Sequence, residues 1–305
     1  MTKILITGGA GFIPSSLADK LLLENDNMII LVDNLITGEL SKVPVNERCK
    51  FIKCDVNKYN DIAPIMTSFQ FDYVFHYAAL VGVKRTLDNP VMVLDDIQGI
   101  KNVLDLCKST GVKRVFYSSS SEVYGEPVEL PQHEHTTPLN SRLPYAIVKN
   151  VGEAFCRSYQ QEFGLDYTIF RFFNTYGLKQ STDFVMAKFL KLALNNEDIT
   201  VYGAGDQTRT FCYIDDNLDA CLEAMRSNKY INDVVNIGND DLVTIFELAE
   251  RIIKITNSTS KIINLPALKE GDMTRRQPDL EKMKSLLNRK MLPIEDGIKR
   301  ILSSK

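Results

Sequence analysis

A glycine-rich turn wedged between an apolar run and an amphipathic one restricts the fold most. Lys3–Thr7 has the β-branched, apolar character of a buried strand, and Gly11–Glu24 carries helical periodicity. Between them lies Gly8-Gly9-Ala10-Gly11-Phe12-Ile13-Pro14. Gly8 permits a tight turn, and Gly11 lets backbone approach a large anion at a helix N-terminus, where free N–H groups and the helix dipole both favour negative charge. Pro14 stands where a third small residue is usual, and a proline is tolerated in a first helical turn because no intrahelical N–H is required there.

The same alternation continues. Met28–Asp33, Lys50–Cys54, Tyr73–His76 and Arg114–Ser118 read as strands. Pro90–Thr110 and Tyr145–Phe163 read as helices closed by Gly111 and Gly164, and Asp166–Arg171 reads as a further strand. Strands alternating with helices imply right-handed βαβ crossovers and a doubly wound parallel sheet, an α/β fold. The second half is less regular, with helices expected at Phe184–Asn195 and Thr244–Thr256, strands at Ile199–Gly203 and Val234–Ile237, and two short helices around Pro293. A chain of 305 residues accommodates a sheet domain and a smaller α/β lobe. We expect the dinucleotide-binding domain in residues 1–174, with a return segment near 207–256. The lobe is expected in residues 175–206 and 257–305.

Charge and cysteine content exclude several classes. A net charge of −3 argues against nucleic acid or an anionic membrane as the main partner. No apolar run approaches the roughly 18 residues of a membrane span. The N-terminus enters a strand directly, so no signal peptide is expected. Six cysteines form no Cys-x-x-Cys, which suits free thiols in a reducing cytoplasm. His133-Glu134-His135 lies in a polar stretch better read as solvated than as a metal site, and no metal is expected.

Asp33 ends the second strand, where a carboxylate can accept hydrogen bonds from a ribose diol. Asn34, Leu35 and Ile36 follow it with no arginine, which favours NAD over NADP. Asp55 ends the third strand, and two readings stay open for it: contact with the adenine, or an ordinary turn aspartate.

Tyr145 and Lys149 are four apart in a helical stretch and share a face. An ammonium beside a phenol stabilises phenolate, which makes Tyr145 a candidate general base for a hydroxyl that loses hydride to NAD. With 12 tyrosines, chance alone supplies about one Tyr-xxx-Lys, so the pair draws its meaning from context. Ser120 provides that context. It follows a strand in Tyr117-Ser-Ser-Ser-Ser-Glu-Val-Tyr-Gly125, where a hydroxyl can bond the reacting oxygen.

These elements together resemble the extended short-chain dehydrogenase/reductase family. The resemblance runs through Gly8–Pro14, Asp33, His76-Tyr-Ala-Ala79, Ser120, Tyr145/Lys149 and Arg171-Phe-Phe-Asn-Thr-Tyr-Gly177. It continues in Val201–Asp216 with its Gln-Thr-Arg-Thr-Phe core, and in Arg275-Arg-Gln-Pro-Asp279. It implies a Rossmann domain and an NAD site drawn from Gly8, Gly11, Phe12, Ile13, Asp33, Asn34, Asp55, Val56, Ala78, Ala79, Ser118, Tyr145, Lys149 and Phe172. It further implies a nucleotide-sugar substrate, most readily a UDP-sugar, held by Ser120, Ser121, Asn174, Arg209 and Arg276. Guanidinium forks suit the phosphate oxygens of such a ligand.

Relatives of this kind oxidise the sugar at C4 and then epimerise, dehydrate or decarboxylate it. Ser120-Ser121-Glu122 resembles the UDP-glucuronate decarboxylases, and also the GDP-mannose 4,6-dehydratases, and lacks the aspartate of dTDP-glucose dehydratases, so Glu122 joins the candidate catalytic set. Two departures keep a 4-epimerase or 4,6-dehydratase open. Pro138–Tyr145 lacks the decarboxylases' glycine-proline-arginine stretch, and Asp96 replaces an asparagine. A non-catalytic NAD-sensing protein is the alternative of another class, although the Tyr/Lys/Ser set is intact. Apolar surface on Pro90–Thr110 and Tyr145–Phe163 in excess of one sheet face leads us to expect a homodimer.

Overall fold

Six strands from the first 172 residues and one late strand assemble into a single sheet. They are β1 (Thr2–Thr7), β2 (Asn27–Asp33), β3 (Cys49–Lys53), β4 (Tyr73–His76), β5 (Arg114–Ser120), β6 (Tyr167–Phe172) and the strand Asp233–Ile237. The computed structural model describes residues 1–267 and 275–304. From one edge the sheet runs Asp233–Ile237, β6, β5, β4, β1, β2, β3. The strand order reverses between β1 and β4, with Ile4 beside Tyr73 and Thr7 beside His76. In open α/β sheets such a reversal opens the crevice that receives ligands. The crossovers are α1 (Phe12–Leu21), α2 (Tyr59–Phe69), α3 (Val83–Asp88), α4 (Pro90–Leu94), α5 (Asp96–Thr110) and α6 (Pro144–Phe163).

Strands covered on both faces cannot alternate apolar and polar residues. Every residue of β5 is accordingly buried. Leu5, Val74, Val115 and Ile169 of the sheet share one core with Ile62 and Met66 of α2, Val103 and Cys107 of α5, and Val148 and Cys156 of α6. All six cysteines are free.

The chain divides into two compact units. The first comprises residues 1–123, 141–171 and 224–235, and the second residues 124–140, 172–223 and 236–305. In the second, the helices Val185–Leu194 and Ile294–Ser303 pack on the helix Ile245–Thr256. Thr244 caps that last helix in a reciprocal capping box with Glu247, which satisfies two otherwise orphaned N–H groups. Short ladders pair Ile199–Tyr202 with Ile262–Leu265, and Thr208–Thr210 with Leu242–Thr244.

The elements depart from their sequence expectations at identifiable points. The first helix stops at Leu21 rather than Glu24. There the Arg48 guanidinium takes over the carbonyls of Leu22 and Glu24, and the Asn27 amide takes that of Leu21. The stretch Pro90–Thr110 divides at Asp95, whose carbonyl accepts the Gln98 N–H in a tightened turn. Helix α2 has no counterpart in the sequence reading, and Pro64 inside it obscures its periodicity. The helix Ile214–Arg226 was likewise unread, hidden behind the motif that precedes it. Among the described residues, no helix is long and apolar enough to cross a membrane.

Candidate active site in the sheet domain

Gly8 adopts φ +71°, the left-handed region that a side chain disfavours. A Cβ there would also lie 3.0 Å from the Ala78 backbone, so the turn can press against the segment after β4 only with glycine at this position. Gly11 donates its N–H to the Gly8 carbonyl at 2.8 Å and serves as N-cap of α1, with no side chain capping the helix. Phe12 and Ile13 form the first turn, and Pro14 is buried beneath them. This uncapped helix end is the donor set that a pyrophosphate requires.

Asp33 is nearly buried and accepts the Ala10 N–H at 3.1 Å and the Leu35 N–H at 2.7 Å. Each carboxylate oxygen keeps acceptor capacity for a ribose hydroxyl. Gly38, which the sequence reading did not single out, makes room for this acid. A Cβ on Gly38 would fall 2.7 Å from Asp33 Oδ1. Asn34 accepts the Ile36 N–H, and Asp55 accepts the Asn57 N–H, so each closes its own turn. The Val56 carbonyl is taken by the Asn102 amide. The glycine cradle, the uncapped helix and the acid ending β2 fit a dinucleotide.

At the carboxyl end of β4, Thr7 Oγ1 accepts the N–H groups of Tyr77 and Ala78, both at 3.0 Å. Its hydroxyl hydrogen is then left for His76 Nδ1, 2.9 Å away. His76 is fully buried, and burial followed by the Lys149 charge pushes its imidazole down to about 3, so it is neutral. Ala79 follows in the same half-buried loop.

Tyr145 is the second residue of α6, one turn before Lys149. Lys149 is 3% exposed and donates to the Ser118 carbonyl at 2.7 Å and to Ser118 Oγ at 3.3 Å. Its ammonium lies 5.6 Å from the centre of the Tyr145 ring. Burial pushes this ammonium down to about 8. Ser120 ends β5, and its Oγ accepts the Glu122 N–H at 3.2 Å, which starts the single turn Ser121–Tyr124. Ser121 is buried and Glu122 half-buried. The fold therefore brings the serine run, Lys149 and Tyr145 to one end of β5.

A second layer behind these groups was missed in the sequence. Glu153, one turn past Lys149, is fully buried and grips Arg171 of β6 through Nε–Oε1 at 2.8 Å and Nη2–Oε2 at 2.7 Å. It also accepts the Ser119 hydroxyl at 2.6 Å. Burial pushes the Glu153 carboxyl up, but Arg171, Ser119 and Arg157 outweigh that and hold it low. Beside it, Gly152 sits against Tyr117. A Cβ there would lie 2.1 Å from the phenol oxygen, so α6 rests directly on β5.

In the second unit, Arg209 and Arg276 are buried guanidinium groups, at 6% and 8% exposure. Arg209 donates to the Thr208 carbonyl, and the Arg276 N–H joins the same carbonyl at 3.3 Å. Asn174 donates to the Thr210 carbonyl at 3.1 Å, so Asn174, Arg209 and Arg276 converge on the strand Thr208–Thr210. Phe172 is half-buried at the end of β6. His135 Nε2 lies 2.9 Å from the Lys282 ammonium, and among the described residues no group of three or more His, Cys, Asp or Glu could hold a metal ion.

A parallel sheet that reverses beside a glycine turn, with an acid closing β2, has the features of a dinucleotide-binding fold. Residues 4–238 match the NAD dependent epimerase/dehydratase family, and the chain belongs to it. It is 35% identical over 311 residues to UDP-glucuronic acid decarboxylase 1 of Danio rerio, covering 98% of this chain and 72% of that protein. It is also 35% identical over 307 residues to a putative UDP-glucose 4-epimerase of Methanocaldococcus jannaschii, covering 98% and 97%. Among solved structures, it resembles a Thermotoga maritima UDP-glucose 4-epimerase with UDP-glucose (TM-score 0.93, 31% identity, 99% and 98% covered). It also resembles a Thermus thermophilus UDP-glucose 4-epimerase in complex with NAD (TM-score 0.91, 26% identity, 99% and 98% covered). The chain is thus an NAD-dependent enzyme that modifies nucleotide sugars.

Proposed function

We propose that this enzyme oxidises a UDP-linked uronic acid at C4 and then decarboxylates it. The observation that carries this reading is the turn in which Ser120 Oγ accepts the Glu122 N–H, setting a carboxylate two residues after the serine that ends β5. Bound NAD supplies the reversible oxidation at C4. Tyr145 takes the proton of the C4 hydroxyl, and the Lys149 ammonium favours the phenolate that does so. Ser120 donates to the same oxygen. Once C4 is a ketone, the C6 carboxylate is β to it, and the C5–C6 electron pair moves into an enolate as carbon dioxide leaves. Ser120 and Tyr145 hold that charge, and Glu122 manages the proton that C5 regains. Arg209, Arg276 and Asn174 hold the diphosphate, with guanidinium forks matched to its oxygens.

A 4-epimerase is the second reading, favoured by the stretch Pro138–Tyr145, which lacks the decarboxylases' glycine-proline-arginine. Incubation with a panel of UDP-, GDP-, CDP- and dTDP-sugars, followed by mass measurement, separates the chemistries. Carbon dioxide loss from UDP-glucuronate is expected; loss of water, or an unchanged mass with inverted C4, would replace decarboxylation by the other reactions.

We also infer a homodimer. Helix α4 packs on α6, yet Val91, Met92 and Leu94 of α4 and Ile147 of α6 are 73%, 43%, 42% and 41% exposed. An apolar face on paired helices is well suited to a second copy of the same pair. Light scattering should give twice 34.5 kDa; a particle of single-chain mass at every concentration would remove this reading. Six free cysteines, five of them buried, favour a reducing compartment such as the cytoplasm.

A further inference from the structure

The backbone N–H groups from Gly9 to Ser15 can each be accounted for, and few remain for a ligand. The Gly9 N–H goes to the Val32 carbonyl at 2.9 Å, and that of Gly11 to the Gly8 carbonyl at 2.8 Å. The Ala10 N–H goes to the Asp33 carboxylate at 3.1 Å. From Phe12 onward the chain is α1, whose first four N–H groups have no partner within the helix. Ser15, the fourth, donates to the Gly11 carbonyl at 3.2 Å. Pro14, the third, has no N–H. That leaves Phe12 and Ile13, whose N–H groups meet no acceptor among the described residues. The hydroxyls of Ser15 and Ser16 turn back to the Phe12 carbonyl, at 3.2 Å and 2.9 Å, so neither stands in for the missing donor.

Pro14 therefore takes a donor from the helix end while the helix keeps all its bonds. A proline in a first turn interrupts no intrahelical hydrogen bond. The helix is continuous over Phe12–Leu21, with Pro14 on its buried side. The loss falls on whatever anion the helix end receives. Hydrogen bonds to a charged acceptor are the strong ones, so a phosphate feels one missing N–H more than a neutral group would. A glycine or alanine, the usual residue at this place in the turn, would offer a third amide.

We propose that Pro14 is an affinity-setting residue. By limiting the helix end to the amides of Phe12 and Ile13, it loosens the grip on the NAD pyrophosphate. The dinucleotide then exchanges with solution, and the loading of the enzyme follows the NAD concentration around it. The inference rests on the NAD dependence of the family and is independent of the choice between decarboxylation and epimerisation.

The test compares wild type with Pro14→Ala, which restores an N–H at the same helical position. Calorimetry on protein freed of nucleotide measures the binding of NAD, ADP-ribose and adenosine. NAD and ADP-ribose carry the pyrophosphate and should bind Pro14→Ala about tenfold more tightly. Adenosine carries no phosphate and should bind both proteins equally. Pro14→Gly should shift NAD in the same direction. Unchanged NAD affinity in a folded Pro14→Ala protein would overturn the proposal, as would an equal gain for adenosine, which would mark a general repacking of the turn. Should neither variant fold, the wild-type protein decides. Loaded with NAD and passed through a desalting column, it should lose most of the dinucleotide; one NAD per chain after the column overturns the proposal. None of these measurements uses a sugar, so a mistaken choice of reaction leaves them readable.

Discussion

Tyr145→Phe is expected to lower turnover by about 10²–10⁴-fold, the usual contribution of a positioned acid–base group. NAD binding, measured by calorimetry, should stay close to wild type. The two expectations separate because the variant deletes one oxygen and keeps the ring. Pro144 opens α6 with φ already suited to a helix, so the ring keeps its place in the first turn. Lys149 stays on Ser118 whether or not the phenol is present. Undiminished turnover would show that another group takes the proton, and would undo the chemistry assigned to this end of β5. An enzyme that lost NAD along with turnover would place Tyr145 in cofactor retention instead. A protein that only senses NAD would show no turnover for the variant to lose.

The second large effect concerns folding. Glu153→Ala should cost about 3–5 kcal/mol, because it strands the Arg171 guanidinium, 2% exposed, without its carboxylate. Urea unfolding followed by circular dichroism measures this, and the variant should lose a substantial share of the margin of about 5–15 kcal/mol typical of a domain. Replacing both residues by apolar side chains of similar volume should recover much of the loss, since the penalty lies in the unpaired charge. The pair also has a pH signature. The folded Glu153 carboxyl is held below its ordinary range, so its contribution is complete above the unfolded carboxylate pKa and is lost as pH falls through the folded value. A Glu153→Ala cost below about 1 kcal/mol would mean that water reaches the site and solvates the guanidinium.

The sheet was legible because its strands are short, apolar and punctuated. Tyr73–His76 was read to the residue, and Gly111 and Gly164 mark the helix ends as C-terminal glycines in the left-handed region. The glycine turn, Asp33 and the Tyr145/Lys149 pair were legible because each rests on spacing within one or two adjacent elements. What escaped was long-range. Nothing local links Glu153 to Arg171, 18 residues on. Helix α2 escaped for another reason: Pro64 lies in its interior, and local propensity argued against a helix that packing of Ile62 and Met66 nevertheless secures.

The contact between Gly152 and the Tyr117 phenol governs how closely α6 can ride on the strand beneath it. Three residues earlier on that helix, the Lys149 ammonium meets the Ser118 carbonyl at 2.7 Å. Each residue advances a helix by about 1.5 Å, so even a one-residue slide, or a lift large enough to admit a methyl group at position 152, would pull that ammonium away from the strand end. The smallest side chain in the helix thus works as a gauge block, setting the height of a charge it never touches.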